Sequence, residues 1–277
     1  VTEGGQRTTE RALVLARGLG SRMRAADPAA ALSEPQQRAA DAGLKAMMPI
    51  AGRPFLDYVL SAVADAGVRD VALVVAPDHE LVRQRYERDA PPSRIRLRFV
   101  VQDEPLGTAN ALLAAREWAG DEAFLALNAD NLYPVLVLRT IAALQEPALP
   151  AFERRELVRE GNIRDEQVQS FALLELDAHG YLTGILEKPS PDIVAKAGNQ
   201  ALVSMNCWRF DRRIFEACQD VPRSARGEYE LPQAVMLAVA RGVRFRAVRG
   251  SGAVLDLSRR ADVAELSRRL AGVDPCP

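Results

Sequence analysis

Lysine is almost missing from this chain. Of its 36 basic residues only Lys45, Lys188 and Lys196 are lysines, and the rest are arginines. The two side chains are not equivalent, since lysine carries a compact ammonium and arginine a planar, forked cation. A chain that otherwise uses arginine for positive charge keeps lysine where a point charge is needed, which singles out Lys45 and Lys188 before any motif is considered. Cysteine is also scarce. Cys207, Cys218 and Cys276 show neither metal-ligand nor CxxC spacing, and an odd count does not read as a disulfide framework, so a reducing, cytoplasmic setting is expected. No apolar run approaches the ~18 residues that a membrane span requires, and residues 1–10 contain no signal-peptide core. A formal net charge of −1 leaves no broad basic field for nucleic acid or an anionic membrane. Any phosphate ligand must be held by local groups.

What is present is a chain of 277 residues, 48% hydrophobic and 26% charged, the composition of a globular enzyme with a sizeable core. Apolar runs at 12–16, 71–75, 97–101 and 123–127 read as buried strands separated by helical patterns. Phe55, Leu56, Val59, Leu60 and Val63 fall on one helical face, with Gly67 at the expected cap. This alternation predicts an α/β fold, a Rossmann-like and mainly parallel sheet flanked by helices, with ligands at the carboxyl ends of its strands. Beyond residue 150 the rhythm changes. Phe171–Leu176 and Tyr181–Glu187 flank a turn and read as a hairpin, with further strands at 203–210 and 243–248, so the sheet is expected to be mixed, with an antiparallel extension. Val263, Leu266 and Leu270 mark a last amphipathic helix, and residues 25–43 read as a helical insertion or a loop. The expected organisation is a flexible tail at 1–10, one domain over 11–270 with halves at about 11–135 and 136–270, and a second tail at 271–277.

Residues 13–24 run from an apolar strand into Gly18, Gly20, Ser21 and Arg22. Glycines at such a turn tolerate positive φ and allow a ligand close to the backbone, and the amides that follow can face an anion at a helix N-terminus. The segment is neither a Walker loop nor a dinucleotide fingerprint, because no Gly-Lys-Ser/Thr follows and Met23 takes the place of the third glycine. An ordinary βα turn fits the same residues. Asp130 and Asp256 each follow an apolar run, where a hard carboxylate suits Mg²⁺ and a turn or cap role fits equally. Gln102 to Ala109 opens a helix, so Gln102 and the backbone near Gly107 could read a base edge or Thr108 could simply cap. Glu187-Lys188-Pro189 ends a strand.

Taken together and in order, these residues resemble the sugar-1-phosphate nucleotidylyltransferases, also called nucleotide-sugar pyrophosphorylases. Ala16 to Met23 resembles the family's glycine-rich loop, Lys45 to Pro49 its Lys-x-Leu-x-Pro, and Pro105 to Ala109 its base-binding segment. Ala129-Asp130-Asn131 resembles the metal site, Glu187-Lys188-Pro189 the sugar-phosphate strand, and Asp256-Leu257-Ser258 the late Asp-Val-Gly. Ser204 to Phe210 is similar to a sugar-binding strand of bacterial glucose-1-phosphate adenylyltransferases. The resemblance implies attack by a sugar 1-phosphate oxygen on the α-phosphorus of an NTP, with pyrophosphate leaving in line. It implies Arg22 and Lys45 as catalytic groups, and Ala16, Gly18, Leu19, Gly20, Ser21, Gln102, Pro105, Gly107, Thr108 and Asn131 as nucleotide contacts. Glu187, Lys188, Ser204 and Asn206 would hold the sugar phosphate, and Asp130 and Asp256 would hold Mg²⁺. The first half of the domain becomes the nucleotide half and the second the sugar-phosphate half.

Three departures bear on specificity. Arg17 stands where the family has a small residue, Leu44 where it has proline, and Ala129 where it has glycine. Arg17 could point away from the nucleotide or alter nucleotide choice. Asn206 in place of glycine would narrow the acceptor pocket, so a cyclitol phosphate is an alternative acceptor, and a non-catalytic nucleotide-sugar-binding regulator is an alternative function. No hexapeptide repeat signals an appended β-helix, so no second acyltransferase activity is expected. The base, the sugar and any homo-oligomer stay open.

Overall fold

Strands that are apolar on both faces need cover on both sides, and the chain supplies it as two helical layers. The computed structural model of the protein describes residues 8–18 and 20–277. In chain order the strands are β1 (Arg11–Leu15), β2 (Pro49–Ile50), β3 (Arg53–Pro54), β4 (Asp70–Val75), β5 (Arg96–Val101), β6 (Phe124–Asn128) and β7 (Asn131–Leu132). There follow β8 (Ala148–Glu153), β9 (Ala172–Leu176), β10 (Leu182–Leu186), β11 (Leu202–Ser204), β12 (Trp208–Phe210), β13 (Arg246–Gly250) and β14 (Leu255–Asp256). The main sheet runs β10-β9-β11-β8-β12-β6-β1-β4-β5, with β13 also on β8, while β2–β3 and β7–β14 form two small pairs. β6, β1, β4 and β5 are parallel, whereas β12 runs antiparallel to β6 and the β9–β10 hairpin closes the far edge. The sheet is therefore mixed, with a Rossmann-like parallel part and an antiparallel extension.

Alternation along the strands divides the core. Ala12 and Val14 of β1 face the layer that contains helices Phe55–Asp65, Val135–Ala143 and Asp262–Arg269, and Leu13 faces helices Thr108–Ala114, Arg213–Asp220 and Leu231–Ala240. The order of the parallel strands places the site. From β1 the chain moves outward to β4 and β5, then returns to β6 on the other side of β1. The carboxyl ends of β1 and β6 thus flank a topological switch point, where open α/β sheets take their ligands.

Three expectations change. The strand expected at 203–210 is two strands, because Asn206 turns the backbone to φ +57 and a left-handed residue cannot continue a ladder. The expected tail at 1–10 is packed where it is described: Thr9 is buried and its N–H bonds to Ala142 O at 2.8 Å. Residues 1–7 lie outside the described residues. The expected tail at 271–277 is also pinned, since Cys276 N–H donates to Ser61 Oγ and Pro277 O accepts from Ser93 and Arg94. Residues 25–43 contain the helix Glu34–Ala42. Among the described residues no helix is long and apolar enough to cross a membrane.

Candidate active site

Ala16 N–H still bonds to Val74 O of β4 at 2.9 Å, so the chain leaves the sheet at Arg17. Gly20 then turns with φ +61, and a Cβ there would lie 2.3 Å from Gly43 O. Both the left-handed backbone and the close approach of the segment leading to Lys45 require glycine. Gly18 departs from the expected positive φ, and a Cβ on it would meet nothing within 4 Å, because it borders open cavity space. Leu19 lies outside the described residues. Ser21–Arg24 is a single helical turn, and on it Arg22 is exposed, with no hydrogen bond or ion pair to any described residue.

Lys45 follows the left-handed Gly43 and places its ammonium Nζ 2.9 Å from Oδ2 of Asp130, which follows β6. Leu15, Ala16, Gly18, Lys45, Thr108 and Asp130 line a cavity of about 230 Å³. It shares Leu15, Gly18 and Thr108 with a second cavity, of about 250 Å³, that reaches Gly20, Ser21, Gln102, Pro105 and Gly107. A larger hollow of about 720 Å³ opens at the opposite ends of β1 and β4, around Arg11, Arg69 and Arg209. Those guanidiniums are spent on backbone carbonyls and lie far from the switch point.

Asp256 reaches the site through pairing of two very short strands. β14 lies antiparallel to β7 with Asp256 opposite Asn131, and Leu257 N–H bonds to Asp130 O at 2.9 Å. Asn131, expected among the nucleotide contacts, is buried and spends its amide Nδ2 on Asp256 Oδ1 at 2.8 Å. On the other edge of β14 the Asn162 side chain donates to Asp256 O and accepts from Asp256 N–H, both at 2.7 Å. Burial, and then the negative charge of Asp130, push the Asp256 carboxyl up to about 7. A buried carboxylate raised by burial and by a neighbouring carboxylate marks a site short of positive charge, and the hard oxygens of Asp256 and Asp130 suit Mg²⁺. No third acidic, histidine or cysteine side chain joins them among the described residues, which matches an ion that takes its remaining ligands from water and phosphate.

The segment after β5 is fixed from within. Gln102 is buried, and its amide donates to Gly107 O at 3.0 Å and Asn110 Oδ1 at 2.8 Å. Both of its N–H groups are thereby used, so only its carbonyl oxygen remains for a ligand. Thr108 does not cap its own helix: its Oγ1 accepts from Leu231 N–H at 2.9 Å, and Gly107, at φ +107, is the N-cap. Arg17 points toward this segment and away from the Lys45–Asp130 pair. Its Nε donates to Gln102 O at 2.7 Å and its terminal nitrogen to Asp103 O at 3.0 Å.

Of the acceptor candidates, Glu187 and Lys188 lie by the loop 222–230. Glu187 is half-buried, with its carboxyl raised by burial first and by Glu230 second. Lys188 is exposed and holds φ +45. Arg226 pairs with Glu230, and both act electrostatically on Glu187. The same loop also packs on the segment after β5: Tyr229 N–H bonds to Leu106 O at 2.7 Å, and Glu228 lines the second cavity. Ser204 is buried and its Oγ accepts from Asn206 N–H, so its hydroxyl serves the strand break. Tyr133 OH ties that break to the Asp130 segment through Met205 O at 2.6 Å. Sequence reasoning missed Asn162, Arg226 and Glu230. The glycine-centred charged run Arg226-Gly227-Glu228 between two helices was the one available signal for the last two.

Residues 40–268 match the family model described as nucleotidyl transferase. The chain is 27% identical over 259 residues to a UTP–glucose-1-phosphate uridylyltransferase, AglF, of Haloferax volcanii, covering 94% of this chain and 96% of that one. It is 28% identical over 258 residues to a glucose-1-phosphate thymidylyltransferase of Streptomyces antibioticus, covering 93% of this chain and 65% of the relative. A low-salt glycan biosynthesis nucleotidyltransferase, Agl11, of Haloferax volcanii is 24% identical over 226 residues, 82% of this chain and 60% of the relative. The chain thus spans 60 to 65% of the length of these last two. A UDP-glucose pyrophosphorylase solved with UDP-glucose shares the fold, with a TM-score of 0.71 at 19% identity over 94% of this chain and 98% of that one. The chain belongs to the nucleotidyl transferase family.

Proposed function

We propose that this protein transfers a nucleoside monophosphate from an NTP to a sugar 1-phosphate, releasing pyrophosphate. The observation that carries the reading is the convergence of the Gly20 turn, the Lys45–Asp130 pair and Asp256 at the switch point of the parallel strands. Residues 11–270 act as one domain, with the nucleotide held by 11–135 and the acceptor by 136–270. The glycine-loop amides and the free Arg22 hold the triphosphate and favour the departing pyrophosphate. Lys45 neutralises charge that builds on the reacting phosphates, the electrostatic work on which phosphoryl-type transfers depend. Gln102 and the backbone at Gly107 face the base, Lys188 takes the acceptor phosphate, and Glu187 takes its ring hydroxyls. The acceptor oxygen attacks the α-phosphorus in line, so no covalent enzyme intermediate is needed. Asp130 and Asp256 would hold Mg²⁺, which supplies charge neutralisation at the nucleotide phosphates. Three free cysteines favour a reducing, cytoplasmic setting.

Asn206 supports keeping the acceptor class broad. With a side chain where the family pattern has glycine, it favours a modified hexose or a cyclitol phosphate as acceptor. The test is pyrophosphate release with Mg²⁺, crossing five NTPs against glucose 1-phosphate, its epimers and one cyclitol phosphate. Release that requires both partners establishes the transferase and names its pair, whereas nucleotide binding without release for any acceptor would favour a regulator. Asp130→Asn is expected to lose ~10²-fold or more in rate, and a loss under tenfold would remove Asp130 from the charge-stabilising set.

A further inference from the structure

We infer that Asn162 is a positioning residue that fixes the Asp256 carboxylate, an inference that rests on reading Asp256 as a magnesium ligand. β14 is only two residues long and has a strand partner on one edge alone. A buried strand needs its backbone groups paired on both edges. On the open edge of Asp256 no strand arrives. The Asn162 side chain takes its place, because a carboxamide presents the same donor and acceptor as a peptide unit. Its Nδ2 donates to Asp256 O and its Oδ1 accepts from Asp256 N–H, each at 2.7 Å, so the two bonds reproduce one rung of a ladder.

The approach is built into the chain. Gly161 precedes Asn162, and a Cβ there would lie 2.6 Å from Val254 O and 2.7 Å from Leu157 O, so only glycine lets the segment settle against the strand that leads to Asp256. With Asn131 Nδ2 on one carboxylate oxygen at 2.8 Å and Asn162 on the backbone, both the main chain and the side chain of Asp256 are held. Asn162 touches neither a cavity-lining group of the nucleotide site nor the Lys45–Asp130 pair. Its effect passes through Asp256 alone, like that of the outer partners that orient metal ligands.

The experiment compares wild type with Asn162→Ala and Asn162→Asp by two readouts: Mn²⁺ binding in the presence of NTP without acceptor, read by electron paramagnetic resonance, and the Mg²⁺ half-saturation of pyrophosphate release. The aspartate keeps an acceptor for Asp256 N–H and loses the donor to Asp256 O, and it carries the test should the alanine variant fail to fold. The expected result is a roughly 10- to 100-fold weakening of Mn²⁺ binding, with the Mg²⁺ requirement raised in parallel and the NTP KM at saturating metal little changed. A folded variant with wild-type Mn²⁺ affinity overturns the role, and so does a lowered Tm with an unmoved metal requirement, which marks mere structural support. Wild type that binds no Mn²⁺ overturns the inference through Asp256. Wild type that binds Mn²⁺ yet releases no pyrophosphate would sink the transferase reading instead, and the Mn²⁺ comparison would still decide for or against Asn162.

Discussion

At the scale of single residues, Arg17 shows how a departure from a family pattern can be read once its partners are known. Its guanidinium donates to two backbone carbonyls of the segment proposed to face the base, at 2.7 and 3.0 Å, and burial lowers its pKa despite the nearby Asp78. It stiffens the wall of the cavity proposed to take the nucleotide and makes no contact with the Lys45–Asp130 pair. Contacts of this kind act equally on bound substrate and transition state, so their loss raises KM and spares kcat. Arg17→Ala is therefore expected to raise the NTP KM by about tenfold, the equivalent of ~1.4 kcal/mol, with kcat nearly unchanged. Steady-state kinetics over NTP concentration check this; a fall in kcat at constant KM would put Arg17 at the reacting phosphates. Gly20 has a different kind of necessity. Gly20→Ala sets a Cβ 2.3 Å from Gly43 O in a left-handed conformation, so the cost should exceed the ~1–2 kcal/mol of left-handedness alone. Denaturant midpoints read that loss, and activity should fall with it because Gly43 leads directly to Lys45.

At the scale of elements, legibility followed the strength of local pattern. The parallel strands and the helix Phe55–Asp65 were readable because burial on both faces leaves continuous apolar runs, and burial on one face leaves a 3.6-residue period. The place of Asp130 after a strand was readable from the apolar run before it, and Lys45 stood out because lysine is so rare. The β7–β14 pair was not readable, since two residues carry no period and their pairing joins positions 131 and 256. Asn162 was hidden for the same reason, being a long-range partner with an unremarkable sequence context. The break between β11 and β12 was hidden by its neighbours: Leu202 to Phe210 stays apolar enough to read as one strand, while the turn rests on the φ of one residue. Asparagine tolerates that conformation better than most non-glycine residues and a β-branched residue very poorly. Asn206→Val should therefore destabilise the protein by more than ~1 kcal/mol, and Asn206→Gly should not. Equal denaturant midpoints for the two variants would show that the left-handed turn is not what holds β11 and β12 apart.

At the scale of the whole molecule, the cysteines can report whether the two halves unfold together. Cys207 lies in the core layer on one face of the sheet and Cys218 in the layer on the other, both about 1% exposed, while Cys276 is exposed. Burial raises both buried thiols, Cys218 to about 12 and Cys207 further, so neither offers a thiolate to a reagent at neutral pH unless the structure opens. One thiol should react quickly in the native protein, and two more only at a rate set by opening. Where reclosing outpaces labelling, that rate follows the population of the open state. Cys207 and Cys218 should then label at the same rate, because the shared sheet denies either layer a separate unfolded form. Nucleotide makes the test sharper. The residues proposed to contact the nucleotide itself lie within 11–135, Asp256 being proposed to meet it only through Mg²⁺, whereas both buried thiols lie within 136–270. A ligand that binds only the folded form lowers the open population by a factor of about 1 + [L]/Kd, or ~100-fold at 100 times Kd. If residues 11–270 open as one cooperative unit, NTP added without Mg²⁺ will slow both thiols by that factor although it touches neither. Slowing of neither thiol while binding is measured directly would mean that residues 136–270 open on their own, and slowing of one thiol alone would mean that the two layers open separately.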